Sequence, residues 1–291
     1  MAKMLAISLI QVNPTIKRAI VTDASEAELN DLFDIIIPYN ANFGSGLNQK
    51  LHLELYSPFE ETLFIDADCL VCKPLQPLLQ LCQKHSFVVF GTQINSGEWY
   101  MDVSNMCKQF QLSSIPLFNG GTYYFKKNDL TAKIFSKARE LKEKYLELGF
   151  MPFHDSINEE PLIAVSMAIN QVNAVNDWGT GMRTPIGLCG TMQIEVLMGK
   201  CNFNKEGEIV SPAIIHFAGS YAQAFHYKRE ITKLKMWYLL PFLPPKFISL
   251  LVNMIKNIPY AIFVFIKRLA KMILRGEKYD FGVVLPVFSN F

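Results

Sequence analysis

Short apolar runs alternate along this chain with amphipathic stretches. Residues 2–11 (AKMLAISLIQ) read as a helix that stops before Asn13-Pro14, because proline disfavours helical geometry in the residue preceding it. RAIVTD (18–23), DIIIPY (34–39), TLFID (62–66), SFVVFGT (86–92) and TYYFKK (122–127) are β-branched or aromatic runs that predict strands. Helices are predicted over 25–33, where Ser25 and Glu28 have capping-box spacing, over 48–57, and over 158–169. A further helix is predicted over 129–148, where Leu130, Ile134, Ala138, Leu141, Tyr145 and Leu148 recur at helical spacing. Residues 40–47 form a Gly/Asn loop, and 201–216 read as a hairpin turning at Gly207. Strands alternating with helices predict an α/β layered fold with a mixed, mostly parallel sheet, in which ligands gather beyond the carboxyl ends of the strands.

Composition narrows the picture. The 291 residues suit one large domain or a domain with an appendage, and 50% hydrophobic against 19% charged residues gives ample core material. A net charge of +2 predicts no nucleic-acid partner, but the charge is unevenly placed. Residues 231–278 hold nine Lys and Arg and one acid, a net of +8 that leaves −6 on the rest. The expected division is therefore a folded domain over 1–230 and a basic, aromatic tail over 231–291. The six cysteines (69, 72, 82, 107, 189, 201) lie in apolar context and read as reduced core thiols of a cytoplasmic protein. Cys69 and Cys72 form a CxxC, but no second Cys/His pair at metal spacing accompanies them, so no zinc site is predicted. The start of the chain lacks a cleavage-type signal pattern, and no uncharged run reaches the roughly 18–20 residues that span a bilayer.

The candidate chemistry sits at the end of TLFID. Asp66 and Asp68, separated by Ala67, place two carboxylates beyond an apolar strand, where they repel and lose hydration unless a positive charge joins them. A hard divalent cation, Mg²⁺ or Mn²⁺, answers that need and commonly also binds phosphates. If the strand continues, the spacing of two places both side chains on the same side; a turn at Ala67 would instead aim one acid at the metal and the other at a ligand. FNGG (118–121) offers the Asn119 amide and two glycines, Gly120 and Gly121, that permit close backbone approach. His216, in HFAG (216–219), supplies a ligand nitrogen.

Taken together, NQKLHLELYSPFEETLFIDADCLV (48–71), FNGG (118–121), NEEP (158–161) and IIHFAG (214–219) resemble the glycosyltransferases of the GT-A fold, family 8, in the family's order. The first stretch is specific and the others are individually modest. The resemblance implies a UDP-sugar donor, a bound Mn²⁺ or Mg²⁺ held by Asp66, Asp68 and His216, and transfer of a hexose with retention of configuration to a glycan or lipid-linked acceptor. It implies that Lys50 faces the donor phosphates, that Asn119 and Gly120 line the sugar site, and that Gly219 lets the backbone approach the diphosphate. Ala67 and Gly121 fall within the same donor-binding motifs. Glu159 and Glu160 match the pair near the reaction centre, with either a carboxylate nucleophile or a same-face attack directed by the leaving phosphate left open.

The chain departs from the family's pattern twice. The Lys expected after HxxG is replaced within SYAQAFHYK, where Tyr221, His226 and Lys228 are the residues able to substitute. The fold's usual opening strand, which lies inside the sheet, has no counterpart before AKMLAISLI, so its neighbours are expected to keep unpaired edges. Over 236–275, Trp237, Tyr238, Phe242, Phe247, Tyr260, Phe263 and Phe265 interleave with Lys and Arg, and prolines break the stretch. It reads as short amphipathic helices lying on an anionic membrane surface, placing the protein peripherally on a membrane's inner face. Two other readings compete. One is a degenerate protein that binds sugar nucleotide or membrane without turnover. The other is a haloacid-dehalogenase-type phosphatase, disfavoured by Leu70 where that motif wants Thr or Val.

Overall fold

Asn13-Pro14 closes the first helix as the sequence requires: α1 runs Ala2–Val12, and the Asn13 N–H donates to the Leu9 carbonyl at 2.7 Å. The structure, a computed structural model, describes residues 1–254. β1 (Ala19–Thr22) and β2 (Ile35–Pro38) pair in parallel. Between them only a 3-10 turn, Glu26–Glu28, forms in place of the helix expected over 25–33. Leu29 and Leu32 are the buried anchors there, too few to hold a marginal short helix. The helix expected over 48–57 divides into a 3-10 segment, Gly46–His52, and α2 (Leu53–Tyr56). Residues three apart eclipse in 3-10 winding, so Lys50 shares an inward face with Leu53.

β3 (Glu61–Ile65), β4 (Cys69–Val71) and α3 (Gln76–Cys82) follow. The single strand expected over 86–92 is two, β5 (Phe87–Val88) and β6 (Gly91–Ile94), because the chain changes partner at Phe90, which bridges to Val175. Next come α4 (Val103–Phe110), β7 (Ile115–Phe118), β8 (Thr122–Lys126), α5 (Asp129–Lys142) and α6 (Glu159–Ile169). The chain continues with β9 (Met182–Arg183), β10 (Leu188–Glu195), β11 (Lys200–Lys205), β12 (Glu208–Val210), β13 (Ile214–His216) and α7 (Phe225–Leu239). The hairpin turning at Gly207 joins β11 to β12, while β13 separates from it and enters another sheet.

The architecture is α/β, with strand orders β3-β8-β5, β4-β13-β9, β10-β11-β12, β6-β7 and β1-β2. Among the strand pairs of the described residues only β1–β2 and β13–β9 are parallel, so the pairing is mixed but not mostly parallel. Local alternation reports that strands and helices take turns; it does not report which strands meet, and β4 meets β13 from the far end of the chain. Among the described residues β1 pairs only with β2 and β3 only with β8, so each keeps one unpaired edge.

Among the described residues three apolar clusters make the core. Phe87, Tyr123 and Phe125 pack against Phe135 of α5 and Leu162 of α6. Leu70, Ile215 and Phe217 pack against α1 and α7. Cys69, Val71 and Ile214 pack against Leu78 of α3. α7 straddles the boundary expected after residue 230, and Ile248 and Val252 lie in the same cluster as Met4 and Ile7. Lys233, counted above with the basic tail, is fully buried between Glu195 at 2.6 Å and Glu230 at 2.8 Å, and adds nothing to a basic surface. The tail reading beyond residue 254, including Tyr260, Phe263 and Phe265, lies outside the described residues.

Candidate functional site

β3 is an apolar strand that ends in Asp66, and the chain then turns sharply. The Asp66 N–H donates to the Gly121 carbonyl at 2.9 Å, and the Cys69 N–H donates back to the Asp66 carbonyl at 3.0 Å. Ala67 is exposed at the tip of this turn, and Asp66 and Asp68 stay half-buried on either side of it. β4 leaves the turn antiparallel to β13 with Cys69 opposite His216. That register carries His216 to the two acids. Its Nε2 lies 3.1 Å from Asp68 Oδ1 and 3.7 Å from Asp66 Oδ2.

Asn119 orients the imidazole. Its Oδ1 accepts the Gly121 N–H at 3.1 Å and faces His216 Nδ1 at 2.6 Å. An oxygen already accepting from a backbone N–H requires a donor on the ring side, so Nδ1 carries the proton. Nε2 then presents either a lone pair or a second proton to the carboxylates. A lone pair facing two carboxylates calls for a cation between them, and the O/O/N donor set suits Mn²⁺ or Mg²⁺. The residues thus fit the ion that the sequence implies. Burial works against the ionised form of Asp68, but the His216 hydrogen bond and charge outweigh it and hold its carboxyl below the usual range.

Both glycines of FNGG are required by what they touch. A Cβ on Gly121 would stand 2.3 Å from His216 Nδ1, and one on Gly120 would stand 2.7 Å from both Glu159 Oε1 and the Tyr123 hydroxyl. Gly120 also donates its N–H to Glu160 Oε1 at 2.6 Å. Glu159 and Glu160 open α6, where the Asn158 side chain caps the Glu160 N–H at 3.0 Å. Burial first, and the neighbouring Glu159 charge second, push the Glu160 carboxyl up to about 7.

Lys50 sits inside the cluster. Its Nζ contacts Asp66 Oδ2 at 2.7 Å, Glu159 Oε1 at 3.0 Å and the Gly120 carbonyl at 3.1 Å. Burial disfavours the ammonium, but Asp66 and Glu159 more than compensate and raise its pKa. The carboxyl of Glu159 is also raised, by burial, against the opposing pull of Lys50. Lys50 therefore spends its three protons on internal partners. Glu159 Oε2 is buried and finds no hydrogen-bond partner among the described residues.

Eight of the residues expected at the site thus meet at one place: Lys50, Asp66, Asp68, Asn119, Gly120, Gly121, Glu159 and His216, with Glu160 joined through Gly120. Gly219 lies three residues past His216 with φ +59°, a backbone conformation that glycine adopts without strain, and makes none of these contacts. Two neighbours escaped the sequence reading. Tyr123 donates its hydroxyl to Glu159 Oε1 at 3.4 Å, and the Cys69 thiol lies beside Asp68 and His216. Cys69 had a signal, its place directly after the second acid; Tyr123 looked like any aromatic of a buried strand. A cavity of about 450 Å³, lined by residues that include Asn48, Phe153, His154 and Asp155, adjoins the segments carrying Lys50 and Glu159.

No protein-family model matches the chain, and neither does any curated protein. Solved structures do. The galactosyltransferase LgtC in complex with donor and acceptor sugar analogs is 17% identical, with a TM-score of 0.52 over 80% of this chain and 91% of that one. An active-site mutant of LgtC is 16% identical, with a TM-score of 0.50 and the same coverage. The bifunctional glycosyltransferase WbbM gives 0.47 at 11% identity, covering 75% of this chain and 43% of that one. With four-fifths of the chain following LgtC, the protein has the GT-A glycosyltransferase fold.

Proposed function

We propose that this protein is a metal-dependent, retaining glycosyltransferase that moves a hexose from a UDP-sugar to a glycan or lipid-linked acceptor. The observation that carries the reading is His216 Nε2 set against Asp68 and Asp66 with its other nitrogen held by Asn119. LgtC carries donor and acceptor sugar analogs in the same fold, which supports the substrate class. Asp66, Asp68 and His216 would hold Mn²⁺ or Mg²⁺, whose charge offsets that developing on the nucleotide diphosphate as the sugar leaves.

The chain's own residues do the rest. Lys50 pairs with Glu159 and favours its ionised form against the burial that opposes it. The Glu159 carboxylate then sets negative charge close to where positive charge develops on the sugar ring. Glu160, with its carboxyl near neutrality, is placed to exchange a proton with an acceptor hydroxyl. The Gly120 N–H fixes one of its oxygens and leaves the other for that task.

Peripheral membrane residence fits the same reading. Leu239, Phe242, Phe247, Leu250 and Met254 are all more than half exposed and lie among exposed Lys235 and Lys246. Among the described residues no helix is long and apolar enough to cross a membrane.

The test is a thermal-shift panel of nucleotide sugars with and without Mn²⁺, followed by Mn²⁺-dependent hydrolysis of the UDP-sugar that binds. Asp68→Asn should abolish both the Mn²⁺ effect and the hydrolysis. A panel in which no nucleotide sugar binds with any divalent ion would overturn the proposal. Binding without turnover would select the non-catalytic reading instead.

A further inference from the structure

We propose that Asp68, Cys69 and His216 give this centre a second coordination mode, which captures a thiophilic divalent ion such as Zn²⁺ through the Cys69 sulfur. That ion competes with the hard ion held by Asp66, Asp68 and His216. A ring nitrogen of His216, a carboxylate oxygen of Asp68 and the Cys69 Sγ all lie within 4.8 Å of one another. In a tetrahedral zinc site, bonds of about 2.0 Å to N or O and about 2.3 Å to S set donor atoms roughly 3.3–3.6 Å apart. The 3.1 Å between His216 Nε2 and Asp68 Oδ1 is already near that spacing, and the sulfur, no more than 4.8 Å from either, has roughly 1.5 Å or less to close.

The thiol packs in the apolar core but has no strong polar anchor there. Its one hydrogen bond goes to the Gly121 carbonyl at 3.8 Å, a long contact even for sulfur. The residue is fully buried, so a surface reagent does not compete for it, while Asp68 keeps 24% of its side chain open as the route of entry. A hard ion gains little from sulfur and leaves the thiol uncoordinated, whereas Zn²⁺ or Co²⁺ takes it as a ligand. On capture the S–H proton passes to the buffer, a metal–sulfur bond forms, and nothing is oxidised or reduced. The CxxC spacing excluded a zinc site when read alone, because the completing imidazole comes from β13.

The experiment uses the full chain and Co²⁺ as a spectroscopic probe, independently of any transferase activity. The wild-type protein should show a near-ultraviolet sulfur-to-Co²⁺ charge-transfer band. Cys69→Ser and Cys69→Ala should lose it, and Cys189→Ser, which removes the exposed thiol, should keep it. Zn²⁺ affinity should fall at least roughly tenfold in Cys69→Ser, while Mn²⁺ still raises that variant's melting temperature. No band in the wild type, or a band that survives both Cys69 substitutions, overturns the proposal. Should both variants fail to fold, X-ray absorption of the Zn²⁺-loaded wild type decides: one sulfur at about 2.3 Å is required, and a shell of only nitrogen and oxygen refutes it.

Discussion

Removing Lys50 while leaving Glu159 tests the charge arrangement at the site. Lys50→Met keeps the length of the side chain and deletes its charge. Glu159 is 1% exposed, so the substitution strands a buried carboxylate whose other oxygen already lacks a partner. Breaking a buried pair in this way costs about 3–5 kcal/mol. Glu159→Gln leaves Lys50 still paired to Asp66 at 2.7 Å and should cost less, on the order of 1–2 kcal/mol. In the double variant neither charge remains to be stranded. The cycle should therefore return a coupling of roughly 2–3 kcal/mol, with the double variant more stable than Lys50→Met alone. The effect depends on pH with a definite sign. Without Lys50 the Glu159 carboxyl, already raised by burial, rises further, and a raised acid favours the folded state when protonated. The Lys50→Met deficit should be smallest below the ordinary glutamate range near 4.5 and grow as pH increases through the raised value. Urea denaturation at pH 4.5 and pH 7.5 measures all four corners. A coupling below about 0.5 kcal/mol, or a deficit that shrinks as pH rises, refutes the pairing.

Three further outcomes are expected. Gly121→Ala should displace His216 and weaken Mn²⁺ binding by roughly 10–100-fold, read as a lost Mn²⁺-induced melting shift. Glu160→Gln should be more stable than the wild type above about pH 7 and show no such gain at pH 4.5, since the raised Glu160 carboxyl contributes stability only while protonated. Replacing the exposed Phe242, Phe247 and Leu250 together with Ser should abolish flotation with anionic vesicles while leaving the melting temperature within a few degrees.

The residues that cluster at the candidate site were readable in short segments because each segment carries its own local reason. TLFID ends in an acid because a half-buried strand is leaving the sheet there. FNGG holds two glycines because His216 and Glu159 leave no room for a Cβ. Periodicity located α1, β1, β2, β3, β8, α5 and α6, but not α3, α4, β10 or α7, and the helix it suggested over 25–33 is only a 3-10 turn. Lys50 was the clearest surprise. The motif implied a cation facing phosphates, and the fold also sets it among two carboxylates and a carbonyl that no local pattern foretold. Lys233 was another: counted with a basic tail, it proved to be a core cation between two glutamates.

Alone, then, the sequence determined about half of the elements, their apolar faces and the chemical types present at strand ends, because these depend on neighbours a few residues apart. Tertiary structure alone decided strand direction, the Cys69–His216 register, and the partners of Lys50 and Lys233. Those depend on contacts between segments distant in the chain, whose pairing is set by burying whole faces at once, and no local pattern records that choice.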